Sequence, residues 1–157
     1  MNGKSVAKET NRRFALKLIV IGVALCACSG VRAQAKIPDL VISSLSARLD
    51  ASNRVQYSWT ITNVGIGSAR LQNVTVQAFL SKDTVFGNAG DAPAGGTIVG
   101  SSPLEELAPK ASKSGTFTSN FQGNVSALPH LILKVDFSKR VAELNENNNT
   151  AVVGFAR

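Results

Sequence analysis

The side chains with chemistry to offer lie in two polar stretches of the chain. One runs from Ser81 to Asp91 and carries Asp83, Asn88 and Asp91; the other runs from Asp136 to Asn149 and carries Asp136, Glu143, Asn145, Glu146 and Asn148. Loop carboxylates and amides are the ligands that Ca²⁺ takes, so Asp83, Asn88 and Asp91 form one candidate site and Asp136, Glu143 and Glu146 another. The first does not follow the EF-hand spacing, and no glutamate closes it. The same side chains also fold back on loop backbone, replacing missing main-chain bonds. On that second reading the first stretch is a set of turns. The second is a structural clasp in which Asp136, Glu143, Asn145, Glu146 and Asn148 fix the last hairpin through side chain to backbone bonds. Calcium is the one cofactor either stretch suggests.

Other reactive constellations fail on spacing. Glu105 and Glu106 are adjacent, and neighbouring residues of a strand point to opposite faces, so they cannot share a proton as a catalytic pair. His130 is the only histidine, and Cys26 and Cys28 the only cysteines. A zinc site therefore lacks ligands, and no serine stands in a G-x-S-x-G context. The sequence predicts no catalytic residue and no enzyme.

The elements that must hold these loops read as short strands. Val55, Tyr57, Trp59 and Ile61 alternate with Gln56, Ser58, Thr60 and Thr62, a period of two that gives one buried and one wet face. Trp59, the sole tryptophan, is expected to anchor the core, with ligand stacking as the sharper alternative. Leu45, Ala47 and Leu49 share one parity of the run from Leu40. Val74, Val76, Ala78 and Leu80 share another, which leaves Phe79 as the apolar group looking outward. Gly65 and Gly67, two apart, predict a bend needing positive φ or close backbone approach. Ala92 to Gly96 is expected to extend the loop, with a short edge strand from Thr97 to Ser101. Gly115 to Phe121, Leu131 to Phe137 and Thr150 to Phe155 complete the set. Some seven strands separated by Gly, Pro and Asn turns predict an all-β protein, an antiparallel β-sandwich.

The amino-terminal segment has a different composition. Lys4, Lys8, Arg12, Arg13 and Lys17 precede the apolar run Leu18 to Leu25, the pattern of a secretory signal. The apolar run is too short for a confident span. Two cleavage sites compete: before Lys36, after the small residues Ala33-Gln34-Ala35, or before Cys28, since Leu25-Cys26-Ala27-Cys28 resembles a lipobox that would make Cys28 a lipidation site. Residues 1–35 are thus expected to be a signal peptide and 36–157 the domain. Five of the 17 Lys and Arg and one of the ten Asp and Glu fall before residue 28, so the formal charge of +7 shrinks by more than half once the leader is removed. What remains is scattered, with no basic run interleaved with aromatics, so no nucleic acid is expected as partner.

Taken together, Pro38-Asp39-Leu40-Val41, Trp59 to Ala69, Ala78 to Asp83, Leu107-Ala108-Pro109, and Val135-Asp136 followed by Val141-Ala142-Glu143 and Asn145-Glu146-Asn147-Asn148 resemble the CARDB domain, the cell-adhesion-related domain found in bacteria. The resemblance covers nearly all of residues 37–154 and departs from the family at Phe137, where proline is frequent. It implies an immunoglobulin-like sandwich on a secreted or surface protein. The expected function is a non-catalytic extracytoplasmic binding or adhesion module, contacting a protein or glycan at the cell surface through loops such as Lys82 to Gly96. The alternative is an accessory subunit that pairs with another envelope protein through a sheet edge. The membrane enters only through the leader or a lipid anchor, and the location is secreted, periplasmic or that of an outer-membrane lipoprotein.

Overall fold

The computed structural model describes residues 35–155; residues 1–34 of the leader, with the cleavage site before Cys28 and Cys28 itself, lie outside them. Nine strands follow in order: β1 (Leu40–Leu49), β2 (Val55–Asn63), β3 (Ala69–Arg70), β4 (Thr75–Ser81), β5 (Ala92–Ile98), β6 (Glu106–Leu107), β7 (Ser112–Thr118), β8 (His130–Val135) and β9 (Thr150–Gly154). All pairings are antiparallel. One sheet has the order β1-β2-β7, a second β5-β4-β8-β9, and β3 and β6 form a two-stranded ribbon. This is the expected all-β sandwich, its seven longer strands joined by two that are only two residues long. Among the described residues the sole helical turn is a 3₁₀ turn at Val125–Ala127, started by Asn124, whose side-chain oxygen accepts from the Ser126 N–H.

The period of two in β2 fixes its register in the sheet. Val55, Tyr57, Trp59 and Ile61 are at most 4% exposed and face Val76, Ala78, Leu80, Leu131, Leu133 and Val135 of the other sheet. Each such fully buried aliphatic side chain contributes roughly 1.5–3 kcal/mol. Trp59 is the core anchor that its parity implied, and it lies over Gly115 of β7. A Cβ there would approach the indole Cζ2 to 2.4 Å, so the ring takes the space a larger neighbour would need. In β1 a register shift between Ile42 and Ser44 changes parity mid-strand, which is how both Ile42 and Leu45 reach the core.

One expectation is corrected and another completed. Ala92 to Gly96 does not prolong the loop: it is the first part of β5, paired with β4 through a bulge at Ala78 and Phe79. Pro93 and the positive φ of Gly95 disguised it, and both are tolerated because β5 is an edge strand. Phe79 does point away from the core between the sheets, yet it is only 9% exposed. Phe86, from the loop after β4, and Phe137, from the loop after β8, lie over it with ring centroids 5.0 and 5.8 Å away.

Candidate functional site

The 136–149 loop begins with a reversal that Asp136 makes by adopting φ +45° at the end of β8. Asp and Asn tolerate this region better than other side chains. The carboxylate is 1% exposed and its two oxygens accept from the main-chain N–H groups of Arg140 (2.9 Å) and Val141 (2.8 Å). Both donors would otherwise be unpaired in a turn, and bonds to a charged acceptor are the stronger kind. Further along, Glu146 accepts from the Glu143 N–H at 3.1 Å and Asn145 from the Asn147 N–H at 3.1 Å. These bonds stay within the loop.

Glu143 and Asn148 leave it. Glu143 Oε2 accepts from the N–H of Leu40, 103 residues away, while its Oε1 accepts from the Asn149 amide at 2.7 Å. Asn148 donates to Asp39 Oδ1 at 2.9 Å, and Leu144 N–H to the Pro38 carbonyl. The loop therefore ties the lead-in to β1 as well as the hairpin β8-β9. Asn148 is the member of the set that bonds a side chain alone, and not backbone.

The same lead-in is held from its other side by the segment after β2. Asn63 is fully buried: its Oδ1 accepts from Asp39 N–H and Gly65 N–H, and its amide donates to the carbonyls of Gly67 and Leu107. The N–H groups of Ile66 and Gly67 both donate to the Ile37 carbonyl. A Cβ on Gly67 would stand 2.0 Å from Lys36 O, and one on Gly65 2.6 Å from Asp39 N. Of the two reasons foreseen for this glycine pair, close backbone approach is the one found. Asn63, Asp39 and Asn149 are the members that sequence reasoning passed over. Asn63 had a readable signal, since it continues the buried parity of Val55, Tyr57, Trp59 and Ile61 with a polar side chain.

Electrostatically the cluster is one-sided. Burial pushes the Glu143 carboxyl up to about 7, the Leu40 N–H and the Asn149 amide pull it back, and the charges of Asp136 and Glu146 push it further up. The side-chain oxygens of Asn148 and Asn149 are buried with no hydrogen-bond partner.

In the other polar stretch, Asp83 Oδ1 accepts from Val85 N–H at 2.8 Å, both Asp83 oxygens accept from the Asn88 amide, and Asp91 Oδ2 accepts from Gly87 N–H at 2.7 Å. The loop is closed on itself. Among the described residues no three His, Cys, Asp or Glu side chains are gathered as a metal would need. Glu105 takes Ser101 and Lys113 while Glu106 faces Arg70, so the adjacent pair diverges as strand geometry requires.

The three stretches that meet here, residues 36–40, 63–67 and 136–149, are far apart in sequence and share no chemistry except that of holding backbone. A family model for CARDB matches residues 37–153. The chain belongs to the CARDB family. Among solved structures it is similar to the CARDB domain of the PF1109 protein from Pyrococcus furiosus, crystallised in complex with di-metal ions, at 22% identity, covering 78% of this chain and 96% of that one with a TM-score of 0.51. The solution structure of the same archaeal domain matches at 21% identity, 77% and 97% coverage and a TM-score of 0.49. A β-glucosidase from Streptomyces venezuelae, DesR, matches at 16% identity over 74% of this chain but only 15% of its own, with a TM-score of 0.41. No protein of curated function matches. The CARDB domain is a non-catalytic β-module, and in this member the buried Asp136 carries main-chain bonds on both carboxylate oxygens and the half-buried Glu143 on one.

Proposed function

We propose that this CARDB domain is an extracytoplasmic binding module, exported by the basic and apolar segment at its amino terminus and recognising a protein or glycan at the cell surface. The observation that carries this reading is the use made of its polar groups. Those best placed for chemistry, the buried Asp136 and Asn63 and the half-buried Glu143, are committed to bonds within the chain, most of them to its own backbone. What the domain offers outward is a rigid sandwich with loops and broad faces, a form in which surface residues vary at little structural cost. Mass spectrometry of the mature amino terminus tests export: a start at Lys36 gives a free secreted form, a diacylated Cys28 a lipoprotein, and an intact Met1 removes the reading. Binding of the domain to cell-surface and glycan arrays tests recognition, and silence on both defeats it.

A second reading, an accessory subunit joined through a sheet edge, is favoured by β7. This seven-residue strand closes its sheet with β2 as its one neighbour among the described strands, and it contains no proline and a single charge, Lys113. Such an edge can accept an added strand. Recovery of one stoichiometric protein from envelope extract, together with protection of β7 amides from hydrogen exchange in the complex, supports it; capture that leaves those amides exchanging as before opposes it.

A further inference from the structure

The outer faces of the two sheets differ in kind, and one of them is built to be covered. Across the β5-β4-β8-β9 sheet the register aligns Pro93, Phe79, Ile132 and Val152 in a single apolar row on the side away from the core. Because β4 and β8 are antiparallel, the loops that follow them leave opposite ends of the sheet. They nevertheless fold back and meet over this row, Phe86 from one and Phe137 from the other, their rings 6.4 Å apart at 87°. Ile132 is completely buried beneath them. The outermost layer stays open: Val85 is 59% exposed, Phe137 45% and Val152 36%. Contiguous apolar surface of this kind marks interaction sites.

Charge narrows the choice of partner. The Lys134 ammonium sits 5.0 Å above the Phe86 ring, and Lys139 and Arg140, two and three positions after Phe137, have exposed side chains. The acids of the covering loop, Asp83 and Asp91, are turned to that loop's own N–H groups. A second copy docking face to face would set these cations against themselves. Four open apolar side chains, Val85, Pro93, Phe137 and Val152, are also too few for the roughly 800 Å² per partner of a stable protein interface. They suit a polymer that lies flat, presents C–H groups to aromatic faces and carries carboxylates for Lys and Arg. We propose that this face binds an acidic polysaccharide, the Phe137 ring packing on a pyranose and Lys134, Lys139 and Arg140 pairing with uronate carboxylates. The assignment rests on the binding-module reading and gives it a ligand class.

Affinity electrophoresis of the purified full chain through gels containing polygalacturonate or neutral dextran tests it. The expected result is retardation by polygalacturonate alone, several-fold weaker when salt rises from about 50 to 300 mM as screening tightens. Phe137→Ala should weaken it about tenfold and Lys134→Gln and Arg140→Gln several-fold each, whereas Thr60→Ala on the opposite sheet leaves it unchanged. The Arg140 side chain is exposed, so its variant folds even if Phe137→Ala does not. Equal retardation of all variants overturns the proposal, as does binding to phosphatidylglycerol vesicles in place of polygalacturonate. Array binding that survives Phe137→Ala and Arg140→Gln overturns it and leaves the module reading standing; silence in gels and on arrays alike overturns both.

Discussion

The two asparagine- and aspartate-rich loops, 81–91 and 136–149, look alike in sequence and do different work. In the first, every side-chain bond spans at most five residues and Asp83 and Asn88 are exposed. In the second, Asp136 and Asn149 are buried, and two bonds reach more than a hundred residues back, from Glu143 to Leu40 and from Asn148 to Asp39. A local Asx turn shapes a loop that would exist without it. A bond to the start of β1 decides where the chain enters the sandwich, and its loss leaves buried N–H groups without partners. What matters is therefore less the residue type than the distance, along the chain and from solvent, over which it acts.

The sharpest way to break this distinction is to move the strand lead-in. Gly67→Ala puts a methyl group within 2.0 Å of the Lys36 carbonyl oxygen, a clash with backbone that no rotamer relieves. The expected loss is about 3 kcal/mol or more, read as a chemical-denaturation midpoint, and a loss below about 1 kcal/mol would mean the lead-in is not held here. Asp136→Ala comes next. It orphans the Arg140 and Val141 N–H groups and leaves a positive φ to a residue that resists it, for an expected cost of about 2–4 kcal/mol. If Asp136→Ala melts within a degree or two of the parent, the loop is not a clasp.

Glu143 sharpens the comparison through pH. Its carboxyl titrates near 7 in the folded chain against an ordinary value of 4.5, chiefly because burial disfavours the charge. A group whose folded value is raised gives its stabilisation fully below the unfolded value and loses it as pH rises through the folded one. Stability should thus fall between about pH 5 and 8, by on the order of 1 kcal/mol once partial exposure is allowed for. Glu105 works in the opposite sense and in another window: the Lys113 and Ser101 hydrogen bonds hold it down to about 2, so its contribution is lost only as pH falls below about 4.5. Glu143→Gln keeps an acceptor for Leu40 N–H, and once the Asn149 amide turns over, the new NH2 donates to the Asn149 oxygen in place of the bond that Glu143 accepted from its nitrogen. Thermal melts of this variant should be flat from pH 5 to 8 and higher than the parent at pH 8. A parent whose melting temperature does not change over that range would contradict the burial of this carboxyl.

The fold was largely legible because its signals are local. Alternation in β2 and β4 named the buried faces, and Gly, Pro and Asn marked the turns. The misplaced start of β5 has a physical reason, since an edge strand can carry Pro93 and Gly95 where a central one cannot. Phe79 was read outward correctly by parity, but what covers it comes from Phe86 and Phe137, seven and 58 positions on, and no periodicity encodes that meeting. The clasp residues could be named because Asx side chains crowd the stretch; their partners Leu40, Asp39 and Pro38 could not, because a bond across a hundred residues leaves no spacing to read. Asn63 lay between these cases, visible as a polar residue on an apolar parity.

The smallest effects belong to the loop that serves only itself. Asp83→Ala removes an acceptor from Val85 N–H and Asn88, all at exposed positions where water replaces the bond, so the change should stay within about 0.5 kcal/mol. The same geometry speaks to calcium. Asp83 and one oxygen of Asp91 are taken up within the loop, as are both oxygens of Asp136 and Glu143 within the clasp, so a cation would have to displace existing bonds at either place. Calorimetric titration with Ca²⁺ is expected to give no heat and no change in melting temperature. A rise of several degrees that Asp83→Ala abolishes would give the 81–91 loop a function its hydrogen bonds do not suggest. A rise abolished by Glu143→Gln would instead make the clasp the metal centre, with the unpaired oxygens of Asn148 and Asn149 as the ligands to examine first.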